Sequence, residues 1–411
     1  MALKTLLRGS TVLLVGMNIA NFGSYLFNVL AARALGPVGY GEVVAMITVL
    51  TLLNVPINVL TTVVTRFVAS DAAEAEKGRI SALLHWFEKR LYPLAALVGV
   101  VFVLFSFMIA DFLNIRSVWT VIGITGAVLG AFGLPVIRGG LQGVQRFFAL
   151  SGSFLADTAG RLGGGLGLIA AGLGATGGVL GLSIGALSSF FVGRFYFMRG
   201  LPEATQKSFS GKELFRFGVP SLIGLGAVTA LGFTDVIFAK HTLAPATAGL
   251  YGALATIGHI PLYIAMPIMG ALQPIAATAE REGKNLLPIF LGGFGLTLAA
   301  SGVIALGFAL RPSFVVRILY GEPFSAAAPY LGQYALAMLF VTLSTMTTMY
   351  LLAINRTRFV WPLLVIALTQ IILYTTSAQG FAQFVTILTL SSAAALLVQL
   401  PFALWGARHT Q

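Results

Sequence analysis

Apolar runs of roughly 20 residues recur along the whole chain, each long enough to cross about 30 Å of hydrocarbon as a helix. Nothing else in the sequence constrains the fold as strongly. In lipid the backbone must satisfy every N–H and C=O internally, which leaves helices and closed barrels. Barrel strands are short and alternate polar with apolar residues, and these runs do neither. Of the 411 residues, 57% are hydrophobic and 9% charged, against about 25% charged in soluble domains. The expected fold is all-α and integral to the membrane.

Twelve spans are expected, at about residues 11–32, 42–65, 91–110, 117–137, 149–172, 177–197, 217–239, 248–272, 286–310, 330–353, 360–378 and 383–405. An even number puts both termini on one side. Nineteen of the 25 Lys and Arg residues then fall on the terminal side and five on the other: Arg33, Arg116, Lys240, Arg311 and Arg317. This asymmetry sets the termini in the cytoplasm and accounts for the net charge of +12 without nucleic acid. Arg161 alone is left inside a span. The first apolar run reads as a full span, not a cleaved leader.

The basic-polar stretch "MRGLPEATQKSFSGKELFRFG" (Met198–Gly218) divides the chain. Residues 1–198 are expected to form one six-helix bundle, 199–216 a cytoplasmic linker, and 217–411 a second bundle. Related segments recur about 210 residues apart: "LGPVGYG" and "LAPATAGLYG", "EAEKGR" and "EREGK", "QGVQRF" and "AINRTRF". Six spans per half make the repeats parallel, an arrangement that transporters use with their path at the repeat interface.

Polar residues inside spans are the candidate site. Asn18, Asn21, Tyr25 and Asn28 share one face of span 1. Thr51, Asn54, Asn58, Thr61 or Thr62, and Thr65 share one face of span 2, which Pro56 interrupts. Thr256, His259 and Tyr263 repeat the pattern in span 8. Such residues either bond neighbouring helices or line a polar cavity. Asp157 and Arg161 lie one turn apart in span 5, where a charge costs about 2.5–3.5 kcal/mol on the insertion scale. They either neutralise each other or present Arg161 to an anionic substrate, with Asp157 orienting it or exchanging a proton. Arg33, Arg66 and Arg138 at span ends are further anion candidates, or anchors whose long stems reach the interface. Asp235, near the outer end of span 7, is a second coupling candidate.

Several chemistries find no residues. There is no cysteine, and the four histidines make no metal-ligand spacing, so no metal site is expected. No phosphate-binding Gly-rich loop precedes Lys-Ser/Thr, and no acidic cluster of a membrane glycosyltransferase stands out. The protein is expected not to be an enzyme.

Four segments carry a resemblance. "AARALGPVGYGEV" (Ala31–Val43) resembles the segment after the first helix of Wzx-type polysaccharide-export flippases. "TDVIFAKHTLAPATAGLYGALATIGHIPLYI" (Thr234–Ile264) resembles their second-half segment, with an Asp in helix 7 and a Tyr at the start of helix 8. "LYGEPFSAAAPYL" and "LLAINRTRF" are similar to the segments around helix 10. The family belongs to the multidrug/oligosaccharidyl-lipid/polysaccharide (MOP) exporter superfamily.

The resemblance implies two six-helix bundles around a central cavity. It also implies flipping of polyprenyl-diphosphate-linked oligosaccharide from the inner to the outer leaflet of the inner membrane. Arg33, Tyr40, Gly41, Asp235 and Tyr251 match the family's motif positions. Expected partners are the lipid-linked glycan, membrane lipids, and a glycan polymerase and glycosyltransferases. No cofactor is expected beyond a coupling ion, H⁺ or Na⁺. Basic residues that lipid II flippases carry along helices 1 and 2 are replaced here by Asn, Thr and apolar residues, which favours a glycan repeat unit over a peptidoglycan precursor. The alternatives are a multidrug or cation antiporter of the same superfamily and, in a different class, a membrane-embedded polysaccharide polymerase or ligase.

Overall fold

The structure, a computed structural model, describes residues 2–73, 77–199 and 212–408. Every regular element among them is helical. Most of the expected 199–216 linker and the Arg66 side chain lie outside the described residues.

Eight helical runs are long and apolar enough to cross a membrane. Two of them each join a pair of the expected spans. In Val15–Thr62 the helix breaks at Gly36, whose φ of 65° suits a residue without a Cβ. In Phe147–Met198 it breaks at Gly172 and Gly174, with φ of 90° and 56°. The bent pair His85–Leu104 and Ser106–Phe112, and the shorter Val360–Thr376, complete the twelve. The sequence drew span 4 to end at residue 137, but the helix continues from Thr125 to Gly143. Arg138 therefore sits within a helix, and Arg161 is not the only basic residue there.

The fourth span is the buried one in each half. In both Val118–Gly143 and Glu322–Ala353, 72% of the most apolar stretch is buried, against 28% in Leu287–Leu310. Lipid tails are as apolar as leucine, so close packing must hold such helices together. Gly126, Gly130, Gly133 and Gly140 share a face of span 4 and receive Ser183, Ala186, Phe190 and Phe197 of span 6. Gly139 and Gly143 receive Val64 and Val68 of span 2 on another face. Spans 5 and 6 form a hairpin in which Gly160 meets Gly185 and Gly165 meets Gly181, backbone to backbone.

In the other half, Leu331–Ala353 takes the central place. Val341 fits against Gly232, Met346 against Gly293, and the ring of Tyr334 against Gly258. Gln399 crosslinks it to the last helix, donating to Ser344 Oγ at 2.6 Å and accepting from Thr348 at 3.2 Å.

The described chain groups into two compact units, residues 1–35 with 49–218 and residues 36–48 with 219–411. Residues 36–48, which the sequence division gave to the first bundle, belong with the second unit. The reason is the glycine motif. A Cβ on Gly249 would lie 1.7 Å from the Pro37 carbonyl oxygen, and one on Gly41 would lie 2.8 Å from Gly249 Cα. The repeated "PVGYG" and "ATAGLYG" segments thus lie against each other, and only glycine allows the approach.

Candidate functional site

In the first unit, Asp157 sits between two arginines. Arg161 Nε donates to Oδ1 at 2.8 Å and Nη2 to Oδ2 at 3.1 Å. Arg138 Nη2 lies 3.5 Å from Oδ2. Arg138 is itself fixed by spans 5 and 6. Its Nη2 donates to Ser189 Oγ at 2.8 Å, its Nε to Ser153 Oγ at 3.4 Å, and its guanidinium lies 4.1 Å from the Phe154 ring centre. Two guanidiniums and one carboxylate leave the cluster with one net positive charge.

Local sequence builds this geometry. Ser153, Asp157 and Arg161 recur every fourth residue and so share a helix face. The helix Phe147–Ala159 then widens into a π-helical stretch, Gly160–Gly165, beginning between Asp157 and Arg161. Wide turns of this kind concentrate at functional sites. Gly185 closes the back of the pair: a Cβ there would lie 2.5 Å from the Asp157 carbonyl oxygen and 2.8 Å from Arg161 Cγ. The side chains of Arg138, Asp157 and Arg161 keep 18%, 15% and 27% of their surface accessible. A fork of guanidinium donors at the middle of a span, partly accessible and positive, suits a phosphate.

The second unit holds Asp235, fully buried. Its Oδ2 accepts from Tyr251 Oη at 2.8 Å and from Tyr334 Oη at 2.7 Å. Among the described residues its Oδ1 has no hydrogen-bond partner, although it too is buried. A buried carboxylate needs a counter-charge or a proton. Tyr334 escaped the sequence reading because nothing in one helix marks it; Gly258, which makes room for its ring, was the available signal.

Other expected residues fall elsewhere. His259 is buried against Phe233, with its ring nitrogens directed at the carbonyl oxygens of Gly232, at 2.8 Å, and Ala255. It offers no polar atom to a substrate. Tyr40 is also buried, its hydroxyl 3.1 Å from both Thr256 Oγ1 and Tyr320 Oη. The motif positions Tyr40, Gly41 and Tyr251 are thus packing and support positions. Thr61, Thr62 and Thr65 bond back to the carbonyls four residues before them, so their hydroxyls serve their own helix. Asn28 does the same to Ser24. Asn18, Asn21, Asn58 and Arg33 are exposed, and Asn54 is half-buried. Clefts of about 570 and 560 Å³ lie beside Phe191 and Phe195 and beside Trp119 and Leu180; neither is lined by Asp157, Arg161 or Asp235.

Comparison with curated proteins finds no match. Solved structures do match over nearly the whole chain. An inward-facing multidrug resistance MATE family transporter of the MOP superfamily is 15% identical, over 96% of this chain and 95% of that one, with a TM-score of 0.72. The eukaryotic MATE transporter AtDTX14 is 13% identical, over 98% of each chain, at 0.71. The lipid II flippase MurJ, in an inward closed conformation, is 12% identical, over 95% of this chain and 86% of that one, at 0.72. At such identities the likeness establishes the fold alone, an all-helical one whose apolar helices are long enough to cross a membrane many times. A family model described as polysaccharide biosynthesis protein matches residues 6–279. With that match over most of its length, the chain belongs to the polysaccharide biosynthesis protein family.

Proposed function

We propose that the protein is a flippase that moves a polyprenyl-diphosphate-linked oligosaccharide, the repeat unit of a polysaccharide, from the cytoplasmic to the outer leaflet by alternating access. The observation that carries this reading is the net-positive Arg138–Asp157–Arg161 cluster, whose Asp157 and Arg161 lie near the middle of span 5. A charge there is costly unless function retains it, and a guanidinium pair recognises phosphate oxygens by shape as well as charge. Family membership supports the glycan-lipid class of substrate. Asn18, Asn21 and Asn58 are exposed polar groups of the kind that bond sugar hydroxyls. Arg33 and Arg66 remain secondary phosphate candidates. The substrate would come from glycosyltransferases and pass to a glycan polymerase.

The protein would lie in the inner membrane with both termini in the cytoplasm, as the distribution of Lys and Arg suggests. An interior-negative potential favours outward passage of an anion by about 2.3 kcal/mol per charge per 100 mV. A coupling ion, H⁺ or Na⁺, would act at Asp235, whose unpartnered Oδ1 has room in its hydrogen bonding for either; Asp157 is the second coupling candidate. The test is flipping of a lipid-diphosphate oligosaccharide by purified protein in vesicles. Arg161→Ala at the wild-type rate would remove the basis of the proposal.

A second reading, a multidrug or cation antiporter, draws on the MATE-like fold and on Asp235. It requires an organic cation to bind where an acid is accessible. The partly accessible acid, Asp157, is already outnumbered by two guanidiniums, which favours an anion.

A further inference from the structure

The relation of Asp157 to its two arginines carries an inference that rests on the reading of this cluster as the phosphate site. We propose that Asp157 is an internal stand-in for the substrate's phosphate, held by Arg161 while the site is empty and displaced from it when the anion arrives.

The two arginines are held differently. Arg138 is fixed by Ser153, Ser189 and the Phe154 ring, and meets Asp157 only at 3.5 Å. Arg161 has no such supports. Among the described residues its only hydrogen-bond partner is Asp157, through Nε and Nη2. This edge of a guanidinium, with two parallel N–H donors, is the edge that carboxylates and phosphates both take in bidentate fashion. Asp157 therefore occupies the donors that a phosphate would use. Loss of this carboxylate leaves Arg138 in place and Arg161 free to turn.

Charge points the same way. A carboxylate kept among the donors would repel an incoming diphosphate at contact distance, where the repulsion is weakly screened. Replacement of Asp157 by the phosphate exchanges one charge-assisted pair for another, so Arg161 is never left bare. The return of Asp157 to Arg161 then helps to expel the anion on the outer side. Asp157 is a positioning residue that sets the balance between holding and release.

The test compares full-length wild type, Asp157→Asn, Arg161→Ala and Arg138→Ala. Binding of inorganic pyrophosphate and of farnesyl diphosphate is measured by calorimetry in detergent, and flipping is measured in vesicles. Asp157→Asn keeps the size of the side chain and an oxygen acceptor for Arg161. Its expected result is binding tighter by at least about tenfold with a lower maximal flipping rate, a split between affinity and turnover. A residue that merely holds Arg161 in position would give weaker binding instead. Equal or weaker binding by Asp157→Asn, with binding lost in Arg161→Ala, overturns the stand-in role and leaves the phosphate site standing. Unchanged binding in Arg161→Ala overturns the site itself. Should Asp157→Asn not fold, infrared difference spectra of wild type labelled with ¹³C-aspartate decide the question. A carboxylate band that shifts on pyrophosphate binding supports the displacement, and its absence overturns it.

Discussion

Arg161 grips Asp157 along one edge of its guanidinium, Nε on Oδ1 at 2.8 Å and Nη2 on Oδ2 at 3.1 Å, across the point where an α-helix widens into a π-helix. Salt-bridged pairs one turn apart are common on exposed helices and worth little there. This one is mostly buried and shares its acid with Arg138 from another helix. Burial and a shared carboxylate set it apart from such surface pairs and make it a candidate site.

Arg161→Ala is expected to lower flipping of a lipid-diphosphate oligosaccharide by tenfold or more, roughly the loss of one charge-assisted hydrogen bond of about 1.5–3 kcal/mol. Arg161→Lys should recover only part of it, since an ammonium lacks the planar fork. Full recovery by lysine in a vesicle assay would argue for charge alone.

Gly185→Ala tests the geometry behind the pair. The new methyl would meet the Asp157 carbonyl oxygen at 2.5 Å, Oδ1 at 2.7 Å and Arg161 Cγ at 2.8 Å. Overpacking of this kind costs about 1–3 kcal/mol, and flipping should fall with it. Gly163→Ala, two residues beyond Arg161, meets nothing within 4 Å and should leave thermal stability and flipping near wild type. If the two variants behave alike, the close approach at Gly185 does not position the pair.

At Asp235, Tyr334→Phe removes one of the two donors to Oδ2. The expected loss is about 1.5–3 kcal/mol of stability, read as a lowered thermal transition in detergent. Asp235→Asn separates stability from coupling. If the carboxylate carries the coupling ion, flipping by this variant should no longer respond to an imposed Na⁺ or H⁺ gradient, while pyrophosphate binding stays unchanged. A retained gradient response would place the coupling elsewhere.

The glycine contact of the second unit should be among the least tolerant positions in the protein. A Cβ at Gly249 would fall 1.7 Å from the Pro37 carbonyl oxygen, so Gly249→Ala is expected at or above the top of the about 1–3 kcal/mol overpacking range. Tyr40→Phe loses hydrogen bonds to Thr256 and Tyr320 and keeps the ring packing, for about 1 kcal/mol. Detergent melting curves would rank the two; equal midpoints would show that the backbone approach is not what the motif protects.

Much of the site could be read one helix at a time. Ser153, Asp157 and Arg161 stand four residues apart, so their shared face follows from helical period alone. The sequence set Arg138 just past a span end because apolar content fixes such a boundary only loosely, and the Thr125–Gly143 helix runs on beyond it. The threonines of span 2 were open to two readings, helix packing or a cavity wall. The hydroxyls of Thr61, Thr62 and Thr65 bond the preceding turn, a choice open to any helical threonine and invisible to periodicity. His259 shows the same limit: its spacing marked a polar face, and its neighbours buried it against backbone carbonyls.

What the sequence alone determined was the solvent and the class. Runs of about 20 apolar residues admit only helices in lipid. Tertiary structure decided the partners. It placed Arg138 beside Asp157, Tyr334 on Asp235, and residues 36–48 with the second unit. Hydropathy is a sum over consecutive residues and reports only that a helix will insert. Which side chains then meet depends on where glycines let backbones touch, and that is settled between helices far apart in the chain.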